Sequence, residues 1–150
     1  MYTRPNLLRG ICAVIFSLWA VASMAGEAVG TIKTSRGEAS IQREGASIPA
    51  TVGTAVEVSD SIVTGANGIV GLTLRDNTRL TAGPNTTMAL DQYSFDTTTH
   101  AGSMDTTVNR GSLAVISGDI AASNPDAVVF RTPTVTLGVR GTEFIIDTGE

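Results

Sequence analysis

Few side chains in this sequence have the chemistry of a reactive centre. His100 is the only histidine and Cys12 the only cysteine among 150 residues. A transition-metal site needs several N, S or O ligands converging on one point. His100 stands alone in Thr97-Thr98-Thr99-His100-Ala101-Gly102, which reads as an exposed loop. A nucleophilic triad would have to borrow that same histidine as its base. The chain also has no G-x-S-x-G elbow. No spacing among the fourteen acids singles out a carboxylate pair. Asp60, Asp76 and Asp119 have Asn or Gly nearby, a composition that raises calcium, but no D-x-[DN]-x-[DN]-G loop accompanies them. The expectation for these three is exposed hairpin turns. Asn85-Thr86-Thr87 matches an N-glycosylation sequon and reads as a Gly-Pro-Asn turn. Arg131 and Arg140 have the chemistry to bind an anion, though salt bridges or solvated edge charge is the better reading. Among the glycines, Gly111, Gly138 and Gly141 stand out. Arg140-Gly141-Thr142 suggests a sharp turn or bulge that needs a missing Cβ. The expectation is a non-enzymatic chain with no catalytic, cofactor-binding or metal-binding residues and no cofactor.

Composition narrows the partners. The chain is 16% charged with net charge −4, and Lys33 is its single lysine. Contacts to nucleic acid need clustered Lys and Arg, so no nucleic-acid partner is expected. At 42% hydrophobic residues and this modest charge, disorder is excluded. Beyond residue 25 the aromatic residues are Tyr93, Phe95, Phe130 and Phe144. That is a thin supply for stacking sugars.

The elements that must position these residues begin after a distinct leader. Arg4 and Arg9 precede an apolar run, Ile11 to Ala22, and then Ser23-Met24-Ala25. A basic end, an apolar centre and small residues at a cleavage point form the pattern of a secretory signal peptide, assigned here to residues 1–25. The run of about 15 apolar residues is short of the ~18–20 that span a bilayer. Residues 26–150 then form one domain with no stable membrane span after signal removal. They keep every acid, so they are more acidic than the whole chain. The only cysteine leaves with the leader, so disulfides are not expected.

Glycines recur through the domain at gaps that leave no room for a helix of ordinary length, except across 84–101. That window shows no helical apolar stripe. Short β-branched runs between turn signals indicate an all-β domain. Val70, Leu72 and Leu74 share one strand face, with Gly71, Thr73 and Arg75 opposite. Asp76-Asn77 suits a tight hairpin turn. Thr78, Leu80 and Ala82 return, and Met88 and Leu90 continue the parity until Tyr93 and Phe95 close the run. Further strands are expected at 28–34, 38–43, 113–116, 128–131, 134–139 and 143–147. The expected architecture is a twisted sandwich or a short solenoid-like stack of about nine to eleven short strands.

An ordered set of short motifs runs through residues 60–146. It opens with Asp60-Ser61-Ile62-Val63-Thr64-Gly65 and continues with Leu72-Thr73-Leu74-Arg75-Asp76-Asn77-Thr78-Arg79-Leu80. Gly83-Pro84-Asn85-Thr86, Gly111-Ser112-Leu113, Thr132-Pro133 and Gly141-Thr142-Glu143-Phe144 follow in order. No single piece is specific, but the order and spacing together resemble the FecR domain family. The resemblance implies an all-β extracytoplasmic domain. In the family's best-known members that domain follows a cytoplasmic anti-sigma segment and a transmembrane helix. There it relays the occupancy of an outer-membrane iron-siderophore transporter to a sigma factor.

This sequence departs from that arrangement. Nine residues precede Gly10, too few for a sigma-binding segment, and the sequence stops at Glu150, soon after Phe144. Family members usually continue into further strands. The expectation is therefore a stand-alone exported FecR-domain protein, or an incomplete one lacking its last strands, placed in the periplasm or outside the cell. Its partner would be an envelope protein or a polysaccharide. An exposed strand edge or loop rim would be the binding element, because pairing through backbone groups leaves little side-chain signature. The alternatives are a periplasmic regulator in sigma-factor or TonB-dependent signalling, and a module binding peptidoglycan or exopolysaccharide.

Overall fold

A computed structural model describes residues 26–149. The leader assigned to residues 1–25 lies outside the described residues. The chain forms thirteen strands: β1 (Ala28–Arg36), β2 (Ala39–Arg43), β3 (Ala46–Pro49), β4 (Ala55–Glu57), β5 (Ser61–Thr64), β6 (Ile69–Leu74), β7 (Arg79–Ala82), β8 (Thr87–Phe95), β9 (Gly102–Arg110), β10 (Ser112–Ile116), β11 (Val128–Arg131), β12 (Thr136–Gly138) and β13 (Glu143–Asp147). One short helix, α1 (Asp119–Ser123), and a 3-10 turn at Pro125–Ala127 lie between β10 and β11. No helix of the described residues is long and apolar enough to cross a membrane.

The strands build two sheets. One runs β13-β10-β7-β6-β1-β4 and the other β12-β11-β9-β8-β5-β2-β3. The chain alternates between them, often one hairpin at a time. Both sheets turn one face to a shared core: Val70, Leu72 and Leu80 from the first meet Ile62, Met88, Leu90 and Phe130 from the second in one buried cluster. The fold is all-β, as expected, and of the two architectures foreseen it is the sandwich. Ladders are antiparallel except for β11, which runs parallel to β9. A parallel neighbour cannot be reached by a tight turn, so the chain goes through β10 and α1 to get there.

The observed parity has a local cause. Val70, Leu72, Leu74, Asp76, Thr78, Leu80 and Ala82 are all buried, so the β6–β7 hairpin holds one face through its turn. Asn77 takes the left-handed conformation there, at φ 65°. Parity changes within β8. Leu90 pairs with Thr106 and Gln92 with Asp105, leaving Asp91 bulged out of register. That extra residue moves the inward set from even numbers to Tyr93 and Phe95.

Two expectations need correction. The strand count is thirteen rather than nine to eleven, because β3, β4, β5 and β9 were not foreseen. β9 carries Met104, Thr106 and Val108 inward, and the buried threonine interrupts the apolar alternation. The window 84–101, which lacks a helical apolar stripe, is filled by β8 and the turn into β9, and the five-residue α1 lies after Gly118 in a glycine-free span of similar length that the reading of glycine gaps passed over.

Candidate functional site

Asp60 and Asp76 are not exposed turn residues: they are 1% and 0% accessible. Each sits in its own network, and the two networks share no residue. Asp60 precedes β5 and accepts a bidentate pair from Arg43 of β2, with Nε to Oδ1 at 2.8 Å and Nη2 to Oδ2 at 2.7 Å. The Glu57 amide adds a third bond at 2.8 Å. Arg43 also reaches Glu57 at 2.7 Å and the Ala55 carbonyl at 3.0 Å. Hydrogen bonding to Asp60 raises the guanidinium pKa against the opposing effect of desolvation.

Asp76 lies in the β6–β7 turn. Tyr93 donates to its Oδ1 at 3.0 Å, and Thr78 Oγ1 donates to its Oδ2 at 2.6 Å. The amides of Thr78 and Ile120 approach at 3.3 and 3.4 Å. Tyr93 in turn accepts from the Asp76 amide at 2.9 Å. Burial, and after it the charge of Asp76, pushes the Tyr93 phenol pKa upward. With hydroxyls and amides on both oxygens, this carboxylate pins α1 to the hairpin. The Asp119 amide completes the attachment by donating to the Asp76 carbonyl at 2.7 Å.

The remaining candidates scatter. His100 is exposed, edge-on to Phe95, and 3.9 Å from half-buried Asp119. Asp119 also accepts from Asn77 at 3.1 Å. Arg131 makes a bidentate pair with Asp105, and exposed Arg140 lies 3.9 Å from Asp126. Asn85 sits in a turn at φ 51°. Among the described residues, no three His, Cys, Asp or Glu side chains converge. Gly111 does require its type: its φ is +88°, and a Cβ would lie 2.5 Å from Thr86 Cα. Gly138 and Gly141 correct the expectation placed on them. A Cβ at Gly138 meets nothing within 4 Å, and one at Gly141 only the Glu143 carbonyl at 4.0 Å. Neither has a positive φ.

The two ends of the sandwich differ among the described residues. At one end, β4 and β3 are the edge strands. The segment between them bonds to both sheets: Ala50 N to the Ala39 carbonyl at 3.1 Å, and Gly53 N to the Ile32 carbonyl at 2.9 Å. Arg43 ties β2 to Ala55 of β4 across the same end. At the other end, β13 and β12 are the edges. Between them lies a groove of about 420 Å³, lined by Thr132, Pro133, Val135, Leu137, Ile145 and Thr148 among others. Ile145 is 73% exposed, Val135 50% and Leu137 37%.

Hydrogen-bond alternation shows which backbone groups of β13 are free. Thr148 N donates to the Gly111 carbonyl at 3.0 Å, and Ser117 N donates to the Thr142 carbonyl at 2.8 Å. Both lie on the register that pairs Leu113 with Ile146 and Val115 with Phe144. In an antiparallel ladder every second pair exchanges these bonds. Phe144 and Ile146 therefore bond inward to β10. The N–H and C=O groups of Glu143, Ile145 and Asp147 point away from the sheet, where no other strand of the described residues meets them. The sequence reading placed a strand here but not its exposed isoleucine. The signal was present in Phe144-Ile145-Ile146: three apolar residues in one strand cannot all face the core.

A family profile described as "FecR protein" matches residues 60–150. A solved structure described as a "Cell surface anchoring domain" is similar over 41% of this chain and 83% of that one, at 24% identity and a TM-score of 0.40. No curated protein matches the chain. The matched region opens at buried Asp60, contains the Asp76 network and ends beyond the open β13 edge, and through it the chain belongs to the FecR protein family.

Proposed function

We propose that this chain is an exported, non-enzymatic docking domain that holds a protein of the cell envelope along β13 and the groove beside it. The observation that carries this reading is the outward row of backbone groups at Glu143, Ile145 and Asp147, next to the exposed side chains of Ile145, Val135 and Leu137. An unprotected edge with an apolar flank is the surface to which an extended segment adds as a further strand. The leader-like residues 1–25 support export, to the periplasm or beyond. Family membership supports a role in cell-surface signalling, with the docked protein as a component of that signalling. A polysaccharide reading has less support: Phe130 is buried against Phe144, and Tyr93 is committed to Asp76.

Ile145→Pro tests the reading. Its amide points outward, so proline there removes no bond to β10 and is tolerated on an edge strand, yet it blocks an incoming strand. The expected outcome is loss of an envelope-protein complex formed by the wild-type protein, with circular dichroism and melting temperature nearly unchanged. Binding that survives Ile145→Pro, or sedimentation with purified peptidoglycan in place of protein binding, overturns it.

A further inference from the structure

The charges along β13 decide which strands its edge accepts. Glu143, Ile145 and Asp147 share the outer face of the strand, since Phe144 and Ile146 turn toward the core. Neither carboxylate has a cationic partner among the described residues. Asp147 accepts only the nearby Gly149 amide, at 2.8 Å. A strand added here antiparallel would form its hydrogen-bonded pairs at these three residues and set its side chains directly beside them. The nearest competitor is a second copy of the same edge. Two β13 strands related by a two-fold would pair Ile145 with Ile145, and Glu143 with Asp147 on both sides. Both flanking pairs would be carboxylate against carboxylate, which is destabilising when directly opposite.

We propose that these carboxylates make the edge refuse its own copy and select a foreign strand of the pattern basic–x–apolar–x–basic. This rests on the docking reading of β13 and names the chemistry of what docks there. The apolar residue covers Ile145, and the two basic residues pair with Glu143 and Asp147. The intervening residues face the groove beside Val135 and Leu137, so they are apolar and of moderate size. The pairs are exposed, so they select among strands more than they add affinity, and salt weakens them.

Two synthetic peptides serve as probes, one with a Lys-Val-Ile-Val-Lys centre and one with Glu-Val-Ile-Val-Glu. Anisotropy titration of the purified protein should show the lysine peptide binding about tenfold tighter at low salt, with the preference shrinking as salt rises. The double variant E143K/D147K should invert the preference. The single variant E143K makes the edge self-complementary, because the introduced lysine of each copy then lies opposite Asp147 of the other. It should dimerise in sedimentation velocity at concentrations where the wild type is monomeric, and adding I145P should abolish the dimer. If E143K dimerises but the wild type does not distinguish the peptides, charge selection fails while the edge remains a docking strand. If neither peptide binds and E143K stays monomeric while folded by circular dichroism, the docking reading fails as well. A wild-type dimer that I145P disrupts overturns the refusal of self.

Discussion

Asp76 and Tyr93 show how one carboxylate and one phenol tie distant parts of the chain together. Asp76 is fully buried without a cation, which costs free energy unless its lone pairs are filled. Tyr93, Thr78 and the Ile120 amide fill them from three places in the chain. The arrangement has a pH signature. The folded protein holds the Tyr93 proton to higher pH than an unfolded chain, whose phenol titrates near 10. The stability this group contributes is therefore complete below pH ~10 and is lost as pH rises from there toward the raised folded value. Urea unfolding followed across that range should show a falling free energy in the wild type. Tyr93→Phe should show a flatter alkaline limb, with a loss of about 1 kcal/mol at neutral pH from the missing hydrogen bonds. An equal alkaline slope in both proteins would remove Tyr93 as the source.

At the scale of elements, the short helix α1 depends on its attachment to the β6–β7 turn. Gly118 precedes it, and a Cβ there would lie 2.1 Å from the Asp76 carbonyl and 2.4 Å from the Thr78 amide. Both neighbours are backbone and cannot swing aside. Gly118→Ala should therefore cost about 1–3 kcal/mol and loosen the connection from β10 to β11. Gly141→Ala, at the position the sequence marked as special, should change stability by less than about 0.5 kcal/mol. Paired thermal melts of the two variants check the contrast. Much of the strand pattern was legible beforehand. Val70 to Ala82 alternate cleanly, and the Asp76-Asn77 turn was visible as a turn. β9 was not, because a buried threonine at 106 looks polar in sequence. The candidate site was legible only as a class of surface. A strand edge was expected because backbone pairing leaves little side-chain signature, but nothing local in Glu143–Asp147 says that it is an edge.

Among the described residues the two ends of the sandwich are tied differently. One end is bridged by the Arg43 network and the 50–54 segment, and the other holds a groove beside β13. The bridged end should carry more stability. Arg43→Ala strips the guanidinium from buried Asp60, and breaking such a pair from one side should cost about 2–4 kcal/mol. Ile145→Pro at the open end should cost well under half of that. Urea midpoints of the two variants measure the asymmetry, and equal losses would contradict it.

Sequence by itself determined the period-two alternation, most of the turns and the family resemblance. These are set by residues within a few positions of one another, or by the order of short motifs. Tertiary structure alone decided that Asp60 and Asp76 are buried, that Gly118 rather than Gly141 is crowded, and that β13 is an edge among the described residues. The donors on Asp60 and Asp76 lie as far as 17 and 44 residues away in sequence. A strand's place in its sheet depends on pairing with distant strands that its own residues do not specify. Burial and exposure of this kind arise when the two sheets close on each other.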